Sequence, residues 1–341
     1  MFDYLNQYYP FLIFGISSLA FFSRRLDELR KIPTILYLVL TLASLQPWIV
    51  INYFRQLDLG IFSIWGLLAL NLMIARSAEA DDESWLKALV SGIFGMLFLQ
   101  VSLHPSFGLP FSLSTEWAQC LSAAAAISAM FLLYGLPPVQ QGFLDLGSIR
   151  NTRLHIQINV LFRFVLSFFF IAMIQGTYWM ENLTEFYSVI SVFLLLAVAV
   201  SRLVLRLQTN PYRMLSYLSS GFALTIVFKL NFIDKGAIAL MVMALAMLPF
   251  LKLLNPIPPK EEQSDDLWNV TNFYRYHGRD ASHFFKWLKV FLGLEAAALL
   301  MLAGFCIQSG SYGVAAAAII GLLAALGVIT DKQAFQPRAT V

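Results

Sequence analysis

The chain has 341 residues, of which 59% are hydrophobic and only 13% are charged, and its formal net charge is +3. About a quarter of the residues of a soluble domain are charged, so this composition excludes an ordinary soluble globular protein. The basic residues are spread along the chain without a polybasic stripe, which excludes nucleic acid as a partner.

Eleven apolar runs follow one another along the chain, and the long ones can cross a hydrocarbon core of about 30 Å as helices. Lipid cannot satisfy an open backbone, so helices are expected rather than strands. The sequence therefore predicts an all-α, polytopic membrane helix bundle of about eleven transmembrane helices, forming one transmembrane domain over residues 1–341. The runs are Pro10–Phe22, Pro33–Phe54, Ile61–Ala75, Trp85–Leu103, Trp117–Leu136, Ile156–Met180, Phe186–Leu205, Met214–Phe232, Gly236–Leu254, Trp287–Gln308 and Tyr312–Ile329.

The 23 Lys and Arg residues indicate the orientation of these runs. Only Arg55, Lys229 and Lys235 fall on one side, and Arg163 lies within a run. The others, Arg202 among them, fall in connections on the opposite side, which the positive-inside rule assigns to the cytoplasm. We therefore predict an external N-terminus, a cytoplasmic C-terminus and a location in the plasma (bacterial inner) membrane, with the mitochondrial inner membrane as the less favoured alternative.

The longest polar connection, Asn255–Phe285, is predicted to be a cytoplasmic loop. Its second half mixes aromatic residues such as Trp268 and Tyr274 with Arg275 and Arg279. Aromatic residues and Arg are enriched in interface cores, which favours docking of a cytoplasmic-side protein subunit. The alternative is an amphipathic stretch that lies on the lipid bilayer.

Two charged residues are predicted at middle depth in the membrane, where charges are expensive and usually functional. Arg163 lies about ten residues into its run and Glu295 about nine residues into its own, so a rise of about 1.5 Å per residue puts them at similar depth. We predict that Glu295 faces protein or trapped water, with Arg163 as its partner, in an ion or proton path. The alternatives are a structural salt bridge and an Arg163 side chain that extends to the cytoplasmic face.

Pro137 and Pro138 interrupt or end the fifth run, and Gln141 and Asp145 follow closely. Transporters use the freed carbonyls of broken helices at ion sites, so this segment is a candidate helix break and Asp145 a candidate in the ion path. The alternative is an ordinary helix end followed by a loop.

Motifs of soluble enzymes are absent from the sequence: it has no Walker loop, HExxH, CxxC or GxSxG. No metal site or cofactor is therefore expected. The protein is predicted not to be catalytic by itself, although it could be a membrane subunit of a redox-driven or ion-driven complex.

The segment RLQTNPYRMLSYLSSG, Arg206–Gly221, carries the most specific resemblance. It resembles the signature QTDLKRLLAYSSISHMG of the antiporter-like, proton-conducting subunits of complex I and Mrp-type antiporters. Two weaker resemblances are FSIWGLLALNLMI, which is similar to the family's FFxWELM helix, and GLPPVQQGFLDL, which is similar to its broken-helix motif. The positions that keep the signature include Gln208, Thr209, Arg213 and Tyr217, whereas Asn210, Pro211 and Tyr212 depart from it.

The resemblance implies a membrane subunit of a proton-translocating complex, assembled with other membrane subunits. The family's key Glu would fall at Gly66, its Lys near Tyr134 and its His near Gln141, so all three are lost. Lys286 and Glu295 are the remaining ionisable candidates. Three hypotheses stay open: an ion-translocating subunit, a non-transporting membrane anchor or assembly subunit, and a small-solute permease.

Overall fold

Helix is the only regular secondary structure in the part of the chain that the computed structural model describes. No β-strand occurs there, which confirms the all-α prediction for these residues. The described residues are 64–69, 71–72, 82–104, 114–139, 162–175, 183–208, 210–231, 233, 279–331 and 335.

Eight α-helices are defined within these ranges. They are α1 Asp82–Leu103, α2 Thr115–Tyr134, α3 Arg163–Gln175, α4 Tyr187–Leu207, α5 Pro211–Ser219, α6 Ala223–Leu230, α7 Arg279–Gln308 and α8 Tyr312–Thr330. Two 3₁₀ turns, Thr184–Phe186 and Ser220–Phe222, precede α4 and α6. Residues 64–69 and 71–72 are also helical.

Five of the described helices are long and apolar enough to cross a membrane. Large apolar side chains such as Phe94, Leu300 and Leu323 are exposed along them, as expected of helices that face lipid. A multi-pass membrane protein is therefore consistent with the structure. The five candidate spans are Glu83–Leu103, Thr115–Tyr134, Tyr187–Leu207, Ala281–Gln308 and Tyr312–Thr330.

Some of the predicted features lie outside the described residues. The runs Pro10–Phe22, Pro33–Phe54 and Gly236–Leu254 are among them, as is most of the predicted loop Asn255–Phe285. The end of that loop is described and differs from the prediction, because α7 begins at Arg279 rather than at Trp287.

The early start of α7 follows from a helical spacing of apolar residues that continues before Trp287. Ala281, Phe284, Phe285 and Leu288 are all buried, three or four positions apart, so they lie on one face of the helix. The polar residues Arg279, His283 and Lys286 are exposed.

Contacts between helices establish their relative directions. Helix α8 packs against both α4 and α7, α1 packs against α2, and α6 contacts α3 and α4. Arg206 in the last turn of α4 binds Asp331 directly after α8, and Asn231 after α6 binds Ser191 near the start of α4. The ends of α4 and α8 and the starts of α5 and α7 therefore lie together, at what we call the Arg206 end of the bundle. The alternation of predicted runs implied these relative directions.

Candidate functional site

The predicted eighth run, Met214–Phe232, is helical in its described part but is not one continuous α-helix, because a 3₁₀ turn interrupts it between residues with helical backbone angles. Helix α5 begins with Pro211, whose fixed φ suits a first helical position, and the Asn210 side chain accepts a hydrogen bond from the backbone N–H of Arg213 (3.3 Å). Helix α5 stops at Ser219 and α6 starts at Ala223, with one 3₁₀ turn between them.

Hydroxyl side chains on both sides of the 3₁₀ turn bond back to the preceding backbone. The Oγ of Ser219 donates to the carbonyl of Ser216 (2.9 Å) and Ser220 Oγ donates to the Tyr217 carbonyl. Thr225 Oγ1 donates to the Phe222 carbonyl (2.6 Å). Serine and threonine that bond back to the preceding turn bend helices, and Gly/Ser pairs are common kink sites. The whole turn is buried, so neighbouring side chains must complete its hydrogen bonding.

Arg202 on α4 supplies part of that bonding and also forms a buried ion pair. Its Nε donates to both carboxylate oxygens of Glu295, at 2.8 and 3.0 Å, and its Nη2 lies 2.8 Å from Oε2. Both side chains are fully buried (0% exposed). The Nη1 and Nη2 atoms of Arg202 also donate to the carbonyls of Tyr217 and Leu218, near the end of α5.

Arg163, the first residue of α3, approaches the same end of α5. Its Nη1 donates to the Ser216 carbonyl and to Ser219 Oγ. Its Nη2 has no hydrogen-bond partner among the described residues. The hydroxyls of Ser167 and Tyr134 lie 2.8 Å apart, and Ser167 Oγ lies 3.0 Å from the Arg163 carbonyl, so a line of polar groups continues from Arg163 toward α2.

The three charged residues form what we call the buried cluster: Arg163, Arg202 and Glu295. In the described part of the chain it holds two cations and one anion in the bundle interior. The carbonyl end of an α-helix carries a partial negative charge, which stabilises cations placed there. The end of α5 therefore offsets the second positive charge, and the cluster ties α3, α4 and α7 to it.

The predicted ion pair between Arg163 and Glu295 is wrong, because the partner of Glu295 is Arg202. Equal depth in the membrane does not establish that two helix faces meet. The prediction that Glu295 faces protein is confirmed.

Assignment of Arg202 to a cytoplasmic connection is wrong as well. Helix α4 continues to Leu207, and Arg202 lies on the same face as the buried Leu195, Val198 and Leu205. That helical spacing was readable in the sequence and could have identified Arg202 as an inward-facing residue.

At Pro137 and Pro138 the structure describes the end of α2, while residues 140–161 lie outside the described part of the chain, so the candidate helix break stays a prediction. Helix α2 stops at Tyr134, and Gly135 takes a left-handed conformation with φ 61°. The backbone N–H of Gly135 donates to the Leu132 carbonyl and that of Leu136 to the Phe131 carbonyl, which closes the helix in the usual glycine-containing motif.

Of the other candidates, Lys286 is exposed on α7 toward the Arg206 end and is not part of the buried cluster. Gln208 follows the last residue of α4, and its backbone N–H donates to the Leu205 carbonyl (3.2 Å). Arg213 is half-buried in α5 and Tyr217 contributes its backbone carbonyl to Arg202. The candidates that lie outside the described residues are Gln141, Asp145 and Thr209.

Within the described ranges, no three His, Cys, Asp or Glu side chains cluster closely enough to hold a metal ion. The chemistry that the site offers is therefore that of one carboxylate, two guanidinium groups, hydroxyls and backbone carbonyls. These groups bind protons, ions and water by charge and hydrogen bonding.

Arg163→Gln is expected to destabilise the protein by about 1–3 kcal/mol, because hydrogen bonds from a charged donor are lost. The loss should be smaller than for Arg202→Gln, since Arg163 neutralises no buried carboxylate. Denaturant unfolding of both purified variants in the same detergent measures the difference. An Arg163→Gln protein at least as unstable as Arg202→Gln would contradict this ranking.

No protein-family model, curated protein or solved structure matches the chain. The resemblance of Arg206–Gly221 to the antiporter-like subunits therefore stays a prediction, and the function must be argued from the site.

Proposed function

We propose that this protein is an integral membrane subunit of an ion-translocating complex, and that protons cross it by way of the Arg202–Glu295 pair. The observation that carries the proposal is this pair itself, fully buried against a helix that a 3₁₀ turn interrupts. Ionisable groups inside a membrane are expensive to keep and usually mark ion pathways. A 3₁₀ turn in the middle of a helix often marks a functional hinge.

The position of the family-like segment gives independent support. The signature-like residues 206–221 include the last two residues of α4, all of α5 and the start of the 3₁₀ turn. The carbonyls that bind both arginines come from this segment, at Ser216, Tyr217 and Leu218. The part of the sequence that resembles proton-conducting subunits thus supplies the carbonyls of the site, while its charged residues come from other helices.

A proton step at this site is simple to balance. Glu295 takes up a proton from one side, its charge is lost, and its bonds to Arg202 weaken. Arg202 keeps its hydrogen bonds to the carbonyls of Tyr217 and Leu218, so it remains in place. Release of the proton to the other side restores the pair. The hydroxyls of Ser219, Ser167 and Tyr134 lie close to Arg163 and would carry water or protons along the polar line.

The proposal includes an orientation and partners. The Arg206 end carries Arg206, Arg279, Lys286 and Lys289, which the positive-inside rule assigns to the cytoplasm. We therefore place this end on the cytoplasmic face of the plasma membrane. The polar segment before α7 docks a cytoplasmic-side subunit, and other membrane subunits cover part of the apolar surface.

A non-transporting membrane anchor is the second candidate, and the charge content of the site favours it. Among the acidic side chains whose burial the structure describes, Glu295 alone is buried. The family implied by the resemblance would have a Glu at Gly66 and a Lys near Tyr134. The buried cluster here therefore has fewer ionisable groups than the family's proton path. A structural ion pair would satisfy the same geometry.

Glu295→Gln is expected to abolish proton transport, because an amide cannot take up and release the proton. The full chain is purified with its co-purifying subunits, reconstituted in vesicles and followed with a pH-sensitive dye. Glu83→Gln is the matched control, since Glu83 is exposed in a surface pair with Lys87.

Parental transport rates in a well-folded Glu295→Gln protein would contradict the proton path. An anchor gives a different pattern: the parent transports no protons by itself, and partner activity follows the amount of complex that assembles.

A further inference from the structure

Asp331 and Phe335, the two described residues after α8, both contact the Arg206 end of the bundle. Asp331 accepts a hydrogen bond from Arg206 Nε at 2.6 Å. Phe335 is almost fully buried (3% exposed). Its ring centroid lies 5.6 Å from the ring centroid of Phe285 and 5.5 Å from Lys289 Nζ. We call Asp331 and Phe335 the C-terminal clamp.

The clamp lies next to the buried pair along two helices. Arg206 follows Arg202 by one turn of α4, a rise of about 6 Å, and Lys289 precedes Glu295 by a rise of about 9 Å along α7. The buried Leu292 lies on α7 between Lys289 and Glu295. The clamp therefore connects α4, α7 and α8 just beyond the Arg202–Glu295 pair.

The two ion pairs of α4 differ in exposure. The Arg206 side chain is 51% exposed and that of Asp331 is 17% exposed, whereas Arg202 and Glu295 are both at 0%. Salt screens exposed pairs far more than buried ones. Salt therefore weakens the outer pair more than the inner one, as a releasable closure requires.

We propose that the C-terminal clamp closes the Arg206 end over the Arg202–Glu295 pair, and that its release admits water and ions to the pair from this side. The role that we assign to this opening rests on the proposed function. The closure itself is a matter of packing and can be tested without any transport measurement.

The test uses a cysteine reporter in the full-length protein. Leu292→Cys is introduced together with Cys120→Ser and Cys306→Ser, and the protein is placed in nanodiscs, where both faces are accessible. The rate of reaction with a charged, water-soluble thiol reagent is then measured with and without Asp331→Asn and Phe335→Ala. Labelling of a buried thiol follows the population of the local opening, so about a tenfold faster reaction is expected when the clamp is removed.

A second reporter distinguishes opening from loss of structure. Leu194→Cys lies on α4 toward the opposite end and is buried in the same way, so its labelling rate should not change. An unchanged rate at Leu292→Cys overturns the proposal, and so does an equal rise at Leu194→Cys. Faster labelling at Leu292→Cys alone supports the clamp even if Glu295→Gln leaves transport intact, in which case only the proposed function falls.

Discussion

Replacing Arg202 by Gln is expected to destabilise the protein by about 3–5 kcal/mol, because it leaves the Glu295 carboxylate in the bundle interior without its counter-ion. The native pair has three short N···O contacts of 2.8 to 3.0 Å and no exposed side-chain surface. The same substitution removes the donors that Arg202 offers to the Tyr217 and Leu218 carbonyls before the 3₁₀ turn. Unfolding of the purified protein in mixed detergent micelles measures the loss.

A double substitution separates the charge from the packing. Arg202→Met combined with Glu295→Leu removes both charges together, and buried pairs replaced by apolar residues of similar volume often lose little stability. We expect the double variant to be more stable than Arg202→Gln. Lys87→Ala is the surface control, because the Lys87–Glu83 pair has exposed side chains and such pairs contribute about 0.2–1 kcal/mol. If Arg202→Gln were no less stable than Lys87→Ala, the buried pair would have no structural role.

Gly95→Ala is expected to destabilise the packing of α1 against α2 by about 1–3 kcal/mol, the usual cost of overpacking. A Cβ at Gly95 would lie 2.8 Å from both Cγ and Cδ2 of Leu133 and 3.2 Å from Leu132 Cβ. Because the clash reaches atoms close to the backbone of α2, the two helices must move apart. Close approach at small residues is a general basis of helix association in membranes.

Two other glycines give a graded comparison for Gly95. A Cβ at Gly92 would meet the ends of the Leu68 side chain at 2.8 and 2.9 Å, and these can turn away. A Cβ at Gly304 would meet nothing within 4 Å. The melting temperature is therefore expected to fall most for Gly95→Ala, less for Gly92→Ala and not at all for Gly304→Ala. A Gly304→Ala variant that melts below Gly95→Ala would contradict the packing argument.

The sequence by itself determined the local features of this protein. Hydrophobic length predicted helices at residues 82–103, 187–207 and 312–330 to within a few residues, because the thickness of a bilayer and the helical rise are independent of neighbours. The inward position of Glu295 was predicted for a similar reason, since a charge in lipid costs too much to leave unpaired. Each of these conclusions required only the sequence of one segment and the properties of the lipid bilayer around it.

The tertiary structure decided everything that depends on which helix faces meet. It paired Glu295 with Arg202 rather than Arg163, and it packed Phe335 against Phe285 near the start of α7. It also showed that a 3₁₀ turn interrupts the helix after Asn210. Two arginines from other helices donate hydrogen bonds to backbone carbonyls just before this turn. Depth in the membrane is a function of position along one helix, whereas a contact requires rotation and packing of two. That is why hydropathy could place Arg163 and Glu295 within apolar runs and could not choose their partners.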